Sequence, residues 1–244
     1  MELENLAEFD PSIPKHKPYL TKPIAILIII MFIIEIIFHA MYDDKAIIML
    51  GAKWNEGIRN GEYWRFITCV FLHGNLFHLL LNTGAMFIFG KEIESTFGSI
   101  RFLLIFLLAA WGSGLASYFY SNGLAIGASG VIFGLLGSLI TYFYRQRERI
   151  AGATIRFKSM YTLAIINIIL GFIIPRIDNS AHIGGLITGL ISSWFISPEY
   201  KIEKNEMSNK IYIVQKKDKL RVIFGIFIMI TLLSLITRLN NTTF

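Results

Sequence analysis

Apolar residues gather in long runs separated by short polar breaks, at roughly 23–40, 75–90, 101–120, 126–144, 159–174, 181–197 and 222–238. A helix needs about 20 apolar residues to cross the hydrocarbon of a bilayer. The pattern therefore predicts an all-α polytopic membrane bundle, with six helices in a core and a seventh set apart. The predicted organisation is a cytoplasmic leader at 1–22, the six-helix core at 23–197, a basic linker at 198–221, and a last helix with a short tail at 222–244. The leader carries Pro11, Pro14 and Pro18 and reads as irregular. No cleavage site of small residues follows the first apolar run, so that run is expected to remain as a crossing helix. Between the first two runs, residues 41–74 mix four acidic and four basic residues with Trp54, Tyr63, Trp64, Phe66 and Phe71. Such a mixture favours the lipid–water boundary; an ordinary solvated loop is the alternative.

Small residues mark where the helices should touch. Gly130, Gly134 and Gly137 lie along the fourth span, and Gly185 and Gly189 along the sixth. Gly112 with Ala116, and Ser113 with Ser117, repeat the spacing on the third. Small residues four apart let two backbones approach closely, so the fourth and sixth spans are expected to pack together.

Charge refines this picture. Only 16% of residues are charged and 54% are hydrophobic, against about a quarter charged in a soluble domain. The net charge of +6 is concentrated in two loops. One holds Arg145, Arg147, Arg149, Arg156 and Lys158; the other holds Lys201, Lys204, Lys210, Lys216, Lys217, Lys219 and Arg221. Basic residues collect on the cytoplasmic side, which predicts a cell-membrane protein with its N-terminus inside and its C-terminus outside. That placement accounts for the charge without nucleic acid, and no nucleic-acid partner is expected. The lone Cys69 excludes an intrachain disulfide framework.

Polar groups inside apolar spans are costly and are functional hypotheses by default. His78 and Asn82 lie on the second span, Ser129 opens the fourth and His182 opens the sixth. Ser129 stands sixteen residues before Arg145, and His182 sixteen before Pro198. At ~1.5 Å per residue, both sit about 24 Å above the inner boundary, with His78 about 20 Å above Lys91. Four polar side chains thus share the outer third of a ~30 Å core. A serine hydroxyl becomes a nucleophile when a neighbouring imidazole takes its proton. No aspartate occurs within the spans, so a Ser129–His182 dyad is the economical reading. The oxyanion formed on attack needs donors already in place. The Ser129 N–H, the Asn82 amide and a His78 ring N–H are suitable types, and glycines at 127 and 130 allow a tight bend beside the nucleophile. Such a mechanism requires no metal or organic cofactor, and none is expected.

Blander readings exist for each residue. A serine at a helix start is often an N-cap, a histidine at an interface can be a snorkelling tip, and Asn82 could be interhelical glue. His73 and His78 are spaced five apart, not four, which disfavours zinc. Glu35 and His39, four apart on the first span, are expected to pair or to reach water. What favours chemistry is that Ser129, His182, His78 and Asn82 share one level.

These stretches resemble the rhomboid family of intramembrane serine proteases. The matching segments are GEYWRFITCVFLHGNLFHLLLN at 61–82, GKEIESTFG at 90–98, GASGVIFGLLG at 127–137 and AHIGGLITG at 181–189, within roughly 47–197. The resemblance implies Ser129 as nucleophile, His182 as general base, and His78, Asn82 and Gly127 around the oxyanion. It implies Trp64-Arg65 in a loop laid in the outer leaflet and Glu94 as a buried structural acid. Phe133 stands where some members carry tyrosine, which implies tuning of the base and not its loss. The implied substrates are transmembrane proteins, cut in or beside their membrane helix, with the bilayer as the other partner and the active site near the outer face. Oligomeric state is not legible. A non-catalytic rhomboid-like scaffold and a small transporter using the polar cluster as an ion path are the rival classes. Scaffolds of this type generally lack the serine or histidine, and a transporter needs a coupling carboxylate that the core spans do not obviously supply.

Overall fold

A computed structural model describes residues 15–148, 150, 152–204 and 211–215, with isolated positions between 222 and 234. The predicted leader therefore lies mostly, and the predicted seventh helix largely, outside the described residues.

The helices follow the apolar runs closely. They are α1 (Thr21–Tyr42), α2 (Lys45–Met49), α3 (Asn55–Arg59), α4 (Arg65–Thr68), α5 (Leu76–Ala85), α6 (Lys91–Phe97), α7 (Ser99–Tyr120), α8 (Ser129–Arg145), α9 (Ala153–Ile173) and α10 (Asn179–Ile196). A 3-10 turn, Cys69–Phe71, extends α4, and a π-helical stretch, Met86–Gly90, joins α5 to α6 without a break. By length and apolarity, α1, α7 and α9 can each cross a bilayer. The pair Arg65–Phe71 and Leu76–Phe97, bent by 103°, makes a fourth crossing if it is one span. Large apolar side chains on α1, α5 and α9 stay exposed, among them Ile36, Phe77 and Phe172. Apolar surface on that scale needs lipid or protein to cover it.

The core is built around α8, whose residues from Gly130 to Phe143 are all buried. A helix enclosed on every side tends to be apolar all round, and VIFGLLGSLITYF is so but for hydroxyls such as those of Ser138 and Thr141, which donate to the Gly189 and Leu190 carbonyls of α10 at 3.1 and 3.0 Å. Its partner α10 runs against it through a seam of glycines. A Cβ on Gly185 would stand 1.9 Å from the Gly130 carbonyl oxygen, and one on Gly189 would stand 1.9 Å from that of Gly134. The two backbones touch where the glycine spacing predicts. On the other flank of α10, Gly112 of α7 leaves room for Thr188, whose Oγ1 would be 1.9 Å from an added Cβ.

Segment 41–74 is not the ordinary solvated loop that stood as the alternative to an interfacial segment. It folds into α2, α3 and α4, with Ile58 and Phe66 packed on Leu115 of α7. Arg65 is buried among them: Nη1 donates to the Ile48 and Ala52 carbonyls at 2.8 and 3.0 Å, and Nε to Glu62 at 2.5 Å. The guanidinium lies 4.5 Å from the Trp64 ring and 5.6 Å from that of Trp54. Of the five aromatics read as interfacial, Phe66 is core and Trp64 is the exposed one.

Glu94 is fully buried on α6, where it gathers the start of α1. Its carboxylate accepts from the N–H groups of Tyr19, Leu20 and Thr21 at 2.7–2.8 Å, and from the Thr21 and Ser99 hydroxyls at 2.7 and 2.5 Å. The first N–H groups of any helix lack an internal partner, and α1, with no side-chain cap of its own, borrows one from Glu94.

One element breaks the all-helical pattern. Within the predicted basic linker, β1 (Tyr200–Lys204) and β2 (Ile211–Gln215) pair antiparallel, Tyr200 opposite Gln215 and Lys204 opposite Ile211.

Candidate active site

Ser129 is the first residue of α8, and Ala128 occupies the N-cap. The hydroxyl is thus not spent on capping. It meets Nε2 of His182 at 2.8 Å. His182 stands one turn into α10, 9% exposed, where the seam with α8 brings the two helix starts together. The Phe133 ring, one turn below Ser129, stacks under the imidazole with centroids 4.3 Å apart and 17° between planes. Phenylalanine offers a flat face and no hydroxyl, so packing alone fixes the ring from that side. His182 Nδ1 is buried with no partner among the described residues.

The opposite wall comes from α5. Its N-cap is Asn75, whose side chain accepts from the His78 N–H at 2.8 Å. Gly127 turns the chain into α8 at φ +112°, a conformation that L side chains rarely adopt. A Cβ there would lie 2.6 Å from Nε2 of His78, so the imidazole rests directly on the Gly127 backbone. Asn82 is buried one turn along from His78 and donates from Nδ2 to the His78 carbonyl at 2.9 Å. An amide nitrogen has two hydrogens, leaving one for another acceptor. Contacts therefore run from His182 to Ser129 and, through the Gly127 backbone, to His78, with Asn82 joined to them through the His78 carbonyl.

Other polar residues sort differently from the sequence expectations. Glu35 does not reach His39; both carboxylate oxygens accept the His73 N–H, at 2.9 and 3.0 Å. His73 is fully buried, its ring edge-on to that of His78 with centroids 5.0 Å apart. The first helix thereby pins the segment leading to His78.

Sequence reasoning missed a polar layer above the pair. Asp178 caps α10: Oδ1 accepts from the Ala181 N–H at 3.1 Å and from the Ser180 hydroxyl, while Oδ2 accepts from Ser117 of α7 at 2.5 Å. Burial alone would raise its pKa, but these hydrogen bonds and the charge of Lys53 outweigh it and hold the carboxyl below its usual range. Lys53 is wholly buried. Burial pushes its amine down to about 8, with the charge of Asp178 opposing the shift. Asp178 had a signal, an acid three residues ahead of the Ala181 N–H at a helix start. Lys53 had none, because its partners are backbone carbonyls nearly seventy residues away.

A Rhomboid domain model matches residues 60–199, more than half of the chain. The chain belongs to the rhomboid family. Rhomboid protease GluP of Bacillus subtilis (strain 168) is 38% identical over 180 residues, covering 72% of this chain and 34% of GluP. RHOMBOID-like protein 6, mitochondrial, of Arabidopsis thaliana is 35% identical over 142 residues, covering 57% and 46% respectively. The chain spans between 34% and 58% of the length of the relatives at the head of the comparison. Not every relative is a working enzyme by name: Inactive RHOMBOID-like protein 8 of Arabidopsis thaliana is 33% identical over 141 residues. Membership alone thus leaves activity to the site residues.

Proposed function

We propose that this rhomboid is an intramembrane serine endopeptidase that cuts transmembrane proteins in or beside their membrane helix. The observation that carries the reading is the 2.8 Å contact between His182 Nε2 and Ser129 Oγ, beside a wall of hydrogen-bond donors. As His182 Nε2 takes the hydroxyl proton, Ser129 Oγ attacks the scissile carbonyl. The oxyanion then accepts from the Ser129 N–H, the His78 ring and the second Asn82 amide hydrogen. His182 gives its proton to the leaving amine, the C–N bond breaks, and an acyl-serine remains. A water that loses its proton to His182 attacks this ester, and the returning proton frees Ser129. No cofactor enters the sequence. A carbonyl paired within a helix is poorly presented for attack, so small or helix-breaking residues at the cut should favour cleavage.

The reading includes six core crossings with a seventh helix at 222–238, and an N-terminus in the cytoplasm. The basic 145–158 and 198–221 segments lie on that side, with the reacting pair near the outer face of a cell membrane and the C-terminus external. The bilayer and transmembrane substrates are the partners. Ser129 and His182 exclude the pattern of a scaffold that has lost its reacting groups.

Purified protein, a single-pass substrate, and the variants Ser129→Ala and His182→Ala test the proposal. Wild type should cleave, and each variant should lose at least about 10³-fold in kcat/KM. Equal cleavage by all three would remove these residues from the chemistry.

A further inference from the structure

The polar layer above Ser129 holds a wholly buried lysine, which is exceptional for that side chain. Lys53 Nζ donates to the carbonyls of Ser121 and Gly123 at 2.6 and 3.1 Å. Two residues on, Asn55 Nδ2 donates to the carbonyls of Tyr118 and Ser121 at 3.3 and 3.2 Å. These acceptors form the C-terminal end of α7 and the start of the loop that runs to Ser129. The last carbonyls of a helix lack internal partners and carry partial negative charge, so a cation there is favourable. Helix α7 has no basic residue in its own last turn. Segment 53–55 brings one from across the fold.

The same segment holds the loop a second time. Lys53 N–H donates to the Ala125 carbonyl at 3.0 Å, and Ala125 N–H to the Lys53 carbonyl at 3.2 Å. Two residues further, Gly127 N–H donates to the Cys69 carbonyl at 2.9 Å. The tip between these anchors is exposed, Leu124 at 47%, and glycines at 123 and 127 leave it conformational freedom. The anchors thus supply an order that the loop sequence lacks.

We propose that Lys53 and Asn55 are positioning residues that cap α7 and hold loop 121–128 in the path delivering Ser129 to His182. Neither touches the reacting atoms; their effect runs through the loop backbone. Asp178 caps α10 and binds Ser117 on α7, so the start of α10, like loop 121–128, is tied to the C-terminal part of α7. The inference rests on the peptidase reading for its kinetic consequence and stands apart from it in its structural one.

Lys53→Met keeps the length and removes the donors. Cleavage of a single-pass substrate should fall on the order of 10- to 100-fold in kcat with KM unchanged, the penalty of a misplaced nucleophile. Lys53→Arg, which restores cationic donors, should recover part of the loss. Hydrogen exchange of the full-length protein should show the Ala125 and Gly127 amides opening at least about tenfold faster in Lys53→Met. If Lys53→Met does not fold, Asn55→Ala carries the same two readouts in the same direction. Unchanged kcat together with unchanged exchange overturns the clamp, as does a loss that appears in KM alone. If wild type and Ser129→Ala show equal activity, the peptidase reading fails, and exchange over 121–128 still decides the clamp.

Discussion

At the scale of single residues, the candidate site depends as much on what is missing as on what is present. Gly127 lacks a side chain where His78 needs the space. Gly127→Ala would force an L residue to φ +112° and set a methyl 2.6 Å from the His78 Nε2. Left-handed backbone costs roughly 1–2 kcal/mol for a residue with a Cβ, and the imidazole must also retreat from the oxyanion position. A loss on the order of 10²-fold in kcat/KM is expected, measured on the purified variant with its thermal midpoint recorded beside it. Phe133 shows the converse: a ring with no polar atom still fixes the base, because the stack at 4.3 Å acts through area. The pair Ser129 and His182, which meet at 2.8 Å, was legible because a polar group inside a greasy run stands out against its background. Lys53, Asn55 and Ser117 were not, because each sits near a helix end, where polar residues are ordinary; Asp178 carried only the weak signal of an acid at a helix start.

Among elements, the seam between α8 and α10 sets the separation of serine and histidine. Gly189→Ala would drive a methyl to 1.9 Å from the Gly134 carbonyl oxygen, and backbone cannot step aside as a side chain can. Overpacking of this kind costs about 1–3 kcal/mol. Gly84→Ala makes the contrast, since nothing lies within 4 Å of an added Cβ. An alanine in an open helical position gains up to about 1 kcal/mol over glycine. Thermal unfolding of the two variants in one detergent should therefore move in opposite directions, and only Gly189→Ala should lose cleavage.

The glycine spacing announced that seam in the sequence, and the first six apolar runs announced the long helices, with α9 starting earlier (Ala153) and the second span running on through α6 to Phe97. Short elements were harder to read. Segment 41–74 looked like an interfacial loop because its aromatic residues are mixed with charge; Arg65, which ties it together, does so through backbone carbonyls that no pattern reveals. The β1–β2 pairing was overlooked although YKIEK alternates with period two and IYIVQ is rich in β-branched residues. The weight of the basic charge there drew the reading towards a linker.

For the whole molecule, the buried charges set how stability responds to pH. The Lys53 amine titrates at about 8 when folded and near ~10.4 when unfolded. Between those values the unfolded chain holds more protons, so stability rises with pH across that window. Below about 8 the cost of burying the cation is present in full. Asp178 acts at the other end: its depressed carboxyl contributes stability above the unfolded value of ~3.9, lost as the pH falls through the folded value. Between pH 7 and 10.5 the thermal midpoint of wild type should rise relative to that of Lys53→Met, which lacks that component. Parallel curves would show that Lys53 does not titrate in the window.

The enclosure of α8 has a consequence for how the protein meets its lipid. Helices α1 and α9 present greasy flanks outward, so a thinner or thicker bilayer leans on them first, by tilt or by stretching of chains. The rod that bears the hydroxyl is sheathed by its neighbours and locked, backbone to backbone, to the one that bears the imidazole. Mismatch then disturbs the outer flanks far more than the 2.8 Å that separates the Ser129 hydroxyl from the His182 ring.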